Sequence, residues 1–334
     1  MAGRCDTATR SSMRAALKLS AYLVLLATMV FALVTVGGHL SARRDLPPLP
    51  SAADIMGLSG GGLPVRVSFL NTASQRMARS AVLDPRRDPR AGGVHMMSHP
   101  AIAVEWADGR VLLIDTGMVP ADALAFGRRL ELISDADPIV VHGSPSYLMA
   151  EDAWRVRALL FTHLHEDHVG AAQDLCGSGA REVRAFMTRA QAERPTLLTR
   201  AGLQTVKESS CARLELLADQ PLLKPVPGFD GVWVFQSGGH TPGSQLVVVK
   251  VLGGDRVRTY VAAGDAVNNH DGIRHDVSKP LLYRTLAVPE FEGRLGQVRA
   301  LLAGVEREGA VILVAHDQNW LERTVLPWSR RFDN

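Results

Sequence analysis

The apolar run Arg157–Thr162 (RALLFT) passes without a break into His163-Leu164-His165-Glu166-Asp167-His168, and Val169-Gly170-Ala171-Ala172 then opens a helix. By composition the run is a buried strand, so four side chains able to bind a metal share one tight turn at a strand end. Side chains alternate along extended backbone, so His163 and His165 point the same way. Where the chain curls toward the helix, Asp167 and His168 face a second point nearby. A chain with such a turn must bring it to an open edge of a sheet, which restricts the fold more than any other feature.

Later segments repeat the pattern. Val232–Phe235 precedes Gly238-Gly239-His240-Thr241-Pro242-Gly243-Ser244, Tyr260–Ala263 precedes Gly264-Asp265, and Val311–Ala315 precedes His316-Asp317. Earlier, Val111–Ile114 ends in Asp115-Thr116-Gly117. Imidazole and carboxylate ligands suit Zn, Fe, Mn or Co. Cysteine is missing from the cluster, which points to a catalytic site with open positions and away from a closed structural zinc site.

This order of motifs resembles the metallo-β-lactamase superfamily over roughly residues 65–320. The resemblance implies an α+β fold, the αββα four-layer sandwich, with metals at one edge of its two sheets. Carried over position by position, His163, His165 and His240 would bind the first metal, and Asp167, His168 and His316 the second. Asp265 would bridge them, with Asp115 and Thr241 supporting the ligands from behind. Two zinc ions are implied, with Fe, Mn or Co as possible substitutes. A water between two such ions would lose its proton near neutral pH and attack an ester, lactone, thioester, amide or phosphoester. Asp167 would orient it and pass a proton to the leaving group, so Asp167 and Asp265 are the expected catalytic residues.

Ligand identity narrows the branch. Zinc β-lactamases lack an aspartate at the bridging position, and flavodiiron proteins carry a glutamate where this chain has His165. The set resembles the lactonase, glyoxalase-II-like and esterase branches, and the substrate expected is a small molecule. Lactonases that open N-acyl homoserine lactones usually place a tyrosine three positions after the bridging aspartate; here Asn268 stands there. Eighteen residues follow His316, which argues against the helical C-terminal domain of glyoxalase II. The alternatives are a mononuclear-iron persulfide dioxygenase-like enzyme, a β-lactam or phosphodiester hydrolase, and a membrane-tethered module with a dead site.

Residues 1–18 are basic (Arg4, Arg10, Arg14, Lys18), and Leu19–Val36 carries no charge. Eighteen residues at ~1.5 Å each just cross a ~30 Å hydrocarbon core. Residues 19–40 read as a retained signal anchor or a cleaved signal peptide, and either places the rest outside the cytoplasm, in the periplasm of a Gram-negative cell. Residues 41–64, rich in Pro, Gly and Ala, read as a linker, and 65–334 as the catalytic domain. In an oxidising compartment Cys176 and Cys211 could pair; two buried free thiols are the alternative. The net charge of +3 gives a nucleic-acid role no support, and nothing in the sequence speaks to oligomeric state.

Strands are expected at Val65–Leu70, Ala101–Glu105, Val111–Ile114, Val156–Phe161, Val232–Gln236, Gln245–Leu252, Val257–Ala263 and Val311–Val314. Phe291–Glu308 is expected as an amphipathic helix. Asp84–His99, Asp135–Ala153, Gln191–Leu223 and Asn268–Pro289 read as loops shaping the pocket. Their histidines (His95, His99, His142, His270, His275) read as surface groups, with His99 and His270 at the rim. Tyr283 and Trp320 read as core or rim packing.

Overall fold

The computed structural model describes residues 5–178 and 182–328. Residues 1–4 of the expected basic segment and 329–334 of the expected domain lie outside the described residues, as do the side chains of Arg10 and Arg14.

Two sheets form the centre. The first contains β1 (Arg66–Ala78), β2 (Val94–Glu105), β3 (Val111–Ile114), β4 (Val140–Val141), β5 (Val156–Leu160), β6 (Val183–Met187) and β7 (Ala212–Leu216). The second contains β8 (Lys224–Pro225), β9 (Val232–Gln236), β10 (Gln245–Gly253), β11 (Arg256–Ala262) and β12 (Val311–Leu313). A last short strand, β13 (Leu326–Pro327), returns to the first sheet. The orders are β13-β1-β2-β3-β5-β6-β7, with β4 on β1, and β12-β11-β10-β9-β8.

Alternation along the strands builds the layers. Phe69, Ile102, Val104, Leu112, Ile114, Leu160 and Phe186 face Val232, Val234, Val247, Val249, Tyr260 and Leu313 in the core between the sheets. Residues one step out of phase pack on helices: Leu113, Leu159, Phe161 and Ala185 meet Val169, Leu203 and Val206. On the other side Phe235, Leu246, Val248 and Val261 meet Leu295, Val298, Leu302 and Val305. The central strands are therefore apolar on both faces, which is why they read as continuous runs. Each such fully buried aliphatic side chain contributes ~1.5–3 kcal/mol. The result is the expected αββα sandwich.

The helices used below are α1 (Cys5–Ala42), α2 (Ala52–Met56), α3 (Pro120–Ser134), α4 (Leu197–Glu208) and α5 (Glu292–Arg307). The last is the expected amphipathic helix. In α1, Ala16–Ala42 is long and apolar enough to cross a membrane, and its apolar window is unburied.

Several expectations need correction. The stretch read as a linker is partly built into the fold. Ile55 of α2 is fully buried against the second sheet and α5, and the buried Lys250 donates to Met56 O at 2.8 Å. Ser51 caps α2 through a reciprocal bond with Asp54. The region read as the loop Gln191–Leu223 holds α4 and β7, and β2 begins at Val94, so His95 and His99 are strand residues. In the polar turn after β1, Asp84 and Asp88 are buried, Asp88 by a paired contact with Arg79. The pairing of Cys176 with Cys211, by contrast, is as the sequence allowed: they form a disulfide, which ties the segment after the HLHEDH turn to the start of β7.

Candidate metal centre

Pairing directions explain why the expected ligands meet. β3 and β5 are parallel. β9 and β11 both run antiparallel to β10, hence in one direction, and β12 is parallel to β11. Each sheet presents carboxyl ends at one edge, and the bond from Gln245 N to Thr162 O, 2.9 Å, joins the two edges. The chain enters this seam at His163–His168 from the first sheet, and at His240, Asp265 and His316 from the second. Gly264 sets up the Asp265 turn with φ +49°; a Cβ there would lie 2.7 Å from Thr162 Cβ, so only glycine fits.

The seven residues expected as ligands converge. His163, His165, His240 and Asp265 form one group with mutually close ligand atoms, and His168, Asp265 and His316 another. Asp265 belongs to both: Oδ2 is 3.5 Å from His240 Nε2, while Oδ1 is 3.1 Å from His168 Nε2 and 2.9 Å from His316 Nε2. Asp167 Oδ2 lies 3.7 Å from His168 Nε2 and 3.5 Å from His316 Nε2. All are buried except His165, which is partly exposed.

Orphaned atoms indicate what the cluster is built for. His163 Nε2 and His165 Nε2 are buried without a hydrogen-bond partner, a costly state unless something else satisfies them. His168 Nε2 and His316 Nε2 face each other at 3.2 Å. Their Nδ1 atoms are already engaged, by Asp115 Oδ2 at 2.8 Å and Ser98 O at 2.8 Å. His240 Nδ1 likewise donates to Glu290 Oε1 at 2.6 Å. Holding Nδ1 in this way aims each Nε2 inward, as metal-binding imidazoles require. The donor set fits divalent cations of the zinc type.

Electrostatics separates the rings into two kinds. Burial, reinforced by charge on neighbouring imidazoles, holds His163 well below the ordinary imidazole range and His165 down at about 3. Burial and the Lys279 ammonium lower His240 as well. Burial therefore favours the neutral form of these three rings, the form that can donate a lone pair. For His168 burial acts the same way but is outweighed by the carboxylates of Asp167, Asp115 and Asp265, and the ring is raised. Asp265 and Asp167 similarly raise His316 against burial. Burial would raise Asp167 and Asp265, yet His168 and His316 beside them, with His99 hydrogen-bonded to Asp167, hold both low and ionised.

Asp115 stands behind His168 and also accepts from Thr162 N and Oγ1 at 2.7 and 2.8 Å. Thr241 does not support a ligand. Its Oγ1 pairs with Ser244 Oγ at 2.8 Å and closes the turn after His240, because a threonine following the ligand points into the tight Pro-Gly turn.

The histidines read as surface groups divide. His142 and His275 are exposed. His95, His99 and His270 are buried: the first two lie in β2, and the third, in a turn, reaches Glu306 of α5 at 2.6 Å. His99 Nδ1 is 3.2 Å from Asp167 Oδ2, and its Nε2 has no hydrogen-bond partner. His95, lowered to about 4 by burial, makes a 2.6 Å contact through Nε2 with His316 O. His270 stacks on Trp320 at 3.5 Å, a packing role for both.

Sequence reasoning missed Glu290 and Lys279. Lys279 Nζ donates to Glu290 Oε1 at 2.7 Å and to Asp265 O at 2.6 Å, tying the two together. Tyr283 also reaches the centre. Its ring centre lies 5.2 Å from Lys279 Nζ, and its phenol is pushed well above the ordinary range by burial and by the carboxylates of Asp265, Glu290 and Asp167.

A family model described as the metallo-beta-lactamase superfamily matches residues 97–316. No curated protein matches the chain. Among solved structures, an N-acyl homoserine lactone hydrolase with N-hexanoyl-L-homoserine bound at its catalytic metal centre is similar at 15% identity and TM-score 0.55, covering 79% of this chain and 98% of that one. A B. thuringiensis AiiA variant with bound N-decanoyl-L-homoserine is similar at 16% identity, TM-score 0.55 and the same coverage. A probable metal-dependent hydrolase from Staphylococcus aureus is similar at 14% identity and TM-score 0.52, covering 78% of this chain and 91% of that one.

Proposed function

The chain belongs to the metallo-β-lactamase superfamily, and on that premise we propose that it is a two-zinc hydrolase acting on an ester, lactone or thioester of a small molecule. The observation that carries the reading is Asp265, whose two carboxylate oxygens face separate histidine groups. His163, His165 and His240 would hold one ion, and Asp167, His168 and His316 the other. When bound, such ions lower the pKa of a water and polarise a substrate oxygen.

The chain's own residues set the geometry. Glu290, Asp115 and Ser98 O hold the Nδ1–H of three imidazoles, so the rings cannot turn. Asp167, ionised and steadied by His99, is placed to accept a proton and return it to the leaving group. The lactonase tyrosine is replaced by Asn268 in sequence, yet Tyr283 brings a phenol to the same carboxylates from a later segment. A phenol kept protonated there can donate to the developing oxyanion of a substrate carbonyl. The bound acyl homoserines of two structural neighbours support a lactone as the substrate to try first.

Outside the metal centre, α1 supports a membrane anchor or signal peptide with the catalytic domain beyond the cytoplasm, and the Cys176–Cys211 disulfide is consistent with an oxidising compartment.

Metal analysis of the purified full-length protein, with a hydrolysis screen over lactones, aryl esters, thioesters, phosphodiesters and β-lactams, tests this reading. About two zinc ions per chain with lactone or ester turnover abolished in Asp265→Ala supports it. A single iron with oxygen uptake, or full activity in Asp265→Ala, overturns it.

A further inference from the structure

The end of the apolar helix α1 lies against the rim of the metal centre. His39 Nε2 is 3.1 Å from Thr285 O, and the Arg43 guanidinium lies 5.2 Å from the Phe291 ring centre. Phe291 N in turn donates to Gly239 O at 2.7 Å, next to His240. Leu46 reaches the same turn, for a Cβ on Gly238 would lie 2.3 Å from its Cδ2. On the other side of the emerging chain, Arg194 Nη1 meets Asp45 Oδ2 at 3.5 Å. The residues that leave the helix thus run between segment 194–198 and segment 281–291, the second of which borders the site through Glu290.

Both segments carry leucines facing outward: Leu197 and Leu198 at 67% and 43% exposure, and Leu281, Leu282 and Leu286 at 45%, 71% and 46%. The uncharged run ends at Val36, so His39 stands only about 4.5 Å further along the helix axis at ~1.5 Å per residue. With that run crossing the bilayer, Thr285 lies at headgroup depth, because headgroups add only about 5–8 Å to each side of the hydrocarbon core. Leucines beside it then enter the acyl boundary, as the apolar face of an interfacial element does.

We infer that the mouth of the metal centre opens onto the membrane surface, and that its substrate is an amphiphile whose acyl chain partitions into the bilayer. The substrate half of this inference rests on the hydrolase reading; the placement of the rim does not. Tyr283, next to Leu282, has its ring centre 5.2 Å from Lys279 Nζ, which donates to Asp265 O at 2.6 Å, so an acyl chain held among the leucines leaves its polar head near Asp265.

The test uses full-length protein in vesicles of phosphatidylethanolamine and phosphatidylglycerol. In a Cys5→Ser background, a bimane label goes on Leu282→Cys or on Val257→Cys, which is 54% exposed at the opposite end of β11 from Asp265. Lipids brominated near the top of the acyl chain should quench the label at 282 and leave the label at 257 unaffected. Equal quenching at both sites, or protection at 282 by a second copy of the chain, overturns the inference. In turnover, Leu282→Ser/Leu286→Ser should lose about tenfold in kcat/KM on a long-chain acyl lactone supplied in vesicles. A short-chain, water-soluble lactone should be hydrolysed unchanged. An equal loss on both substrates overturns delivery from the membrane. A wild-type protein that hydrolyses neither overturns the hydrolase reading, while the quenching pair still decides where the rim lies.

Discussion

Glu290 Oε1 lies 2.6 Å from His240 Nδ1, so a carboxylate in the segment before α5 fixes the tautomer of a ring at the far end of β9. Glu290→Gln keeps the size of the side chain and removes its charge. Carboxylates that orient metal-bound imidazoles are worth 10–100-fold in affinity, so the variant should bind zinc more weakly by about that factor. Competition with a zinc chelator measures it, and unchanged affinity would show that His240 needs no such support.

Tyr283→Phe removes only a hydroxyl. If the phenol donates to the oxyanion, kcat falls by ~10²-fold, as for loss of one such donor, with a smaller change in KM. Zinc content should stay at the wild-type level, which separates this outcome from damage to the metal centre.

Arg79 is a buried guanidinium held by Asp88 at 2.6 Å and Asp271 at 2.6 Å, all three side chains nearly inaccessible. Arg79→Ala takes the guanidinium from the buried Asp88, while Asp271 keeps its pair with Arg90, which costs about 3 kcal/mol. The drop should appear as a lower midpoint in urea unfolding. An exposed pair such as Arg76 with Asp137 should give less than about 1 kcal/mol when broken the same way.

Glu215 on β7 is gripped by Arg184 of β6 at 2.9 and 2.7 Å. Hydrogen bonds from Arg184, opposed by partial burial and joined by Arg213, depress its carboxyl to about 2 from an ordinary 4.5. A depressed folded pKa stabilises the protein above the unfolded value, and this contribution is lost as pH falls from about 4.5 toward 2. With solvent screening at this partly exposed position the amount is about 1–2 kcal/mol. Thermal unfolding between pH 2 and 5 should be less pH-dependent in Glu215→Gln than in the wild-type protein.

The parts of this fold that could be read in advance share one property: the information is local. RALLFT running into HLHEDH announces a strand end and its ligands in a dozen residues. Glu290 and Lys279 carry no such mark, because they meet His240 and Asp265 only after the Pro-broken segment 280–289 has folded back over the site. His99 was misplaced for a related reason. The histidine and proline before Ala101 look like a turn, yet the strand continues through them, with a shift in its pairing to β1 between Asn71 and Ser74. Helix α4 was legible in principle, since Leu203 and Val206 are three apart and Thr196 caps its start. Leu197 and Leu198, apolar but exposed, obscured that spacing.

The seam joining the two sheets has a thermodynamic consequence. Ligands from the first sheet and from the second meet only in the folded chain, so a cation bound there is a ligand of the native state alone. Its free energy then adds to the stability of the whole, by about 4 kcal/mol at a free concentration a thousand times its Kd. The midpoint of unfolding should climb with the logarithm of free zinc, and chelation should loosen the two halves from each other before either melts. The centre would then serve as a rivet as well as a reagent.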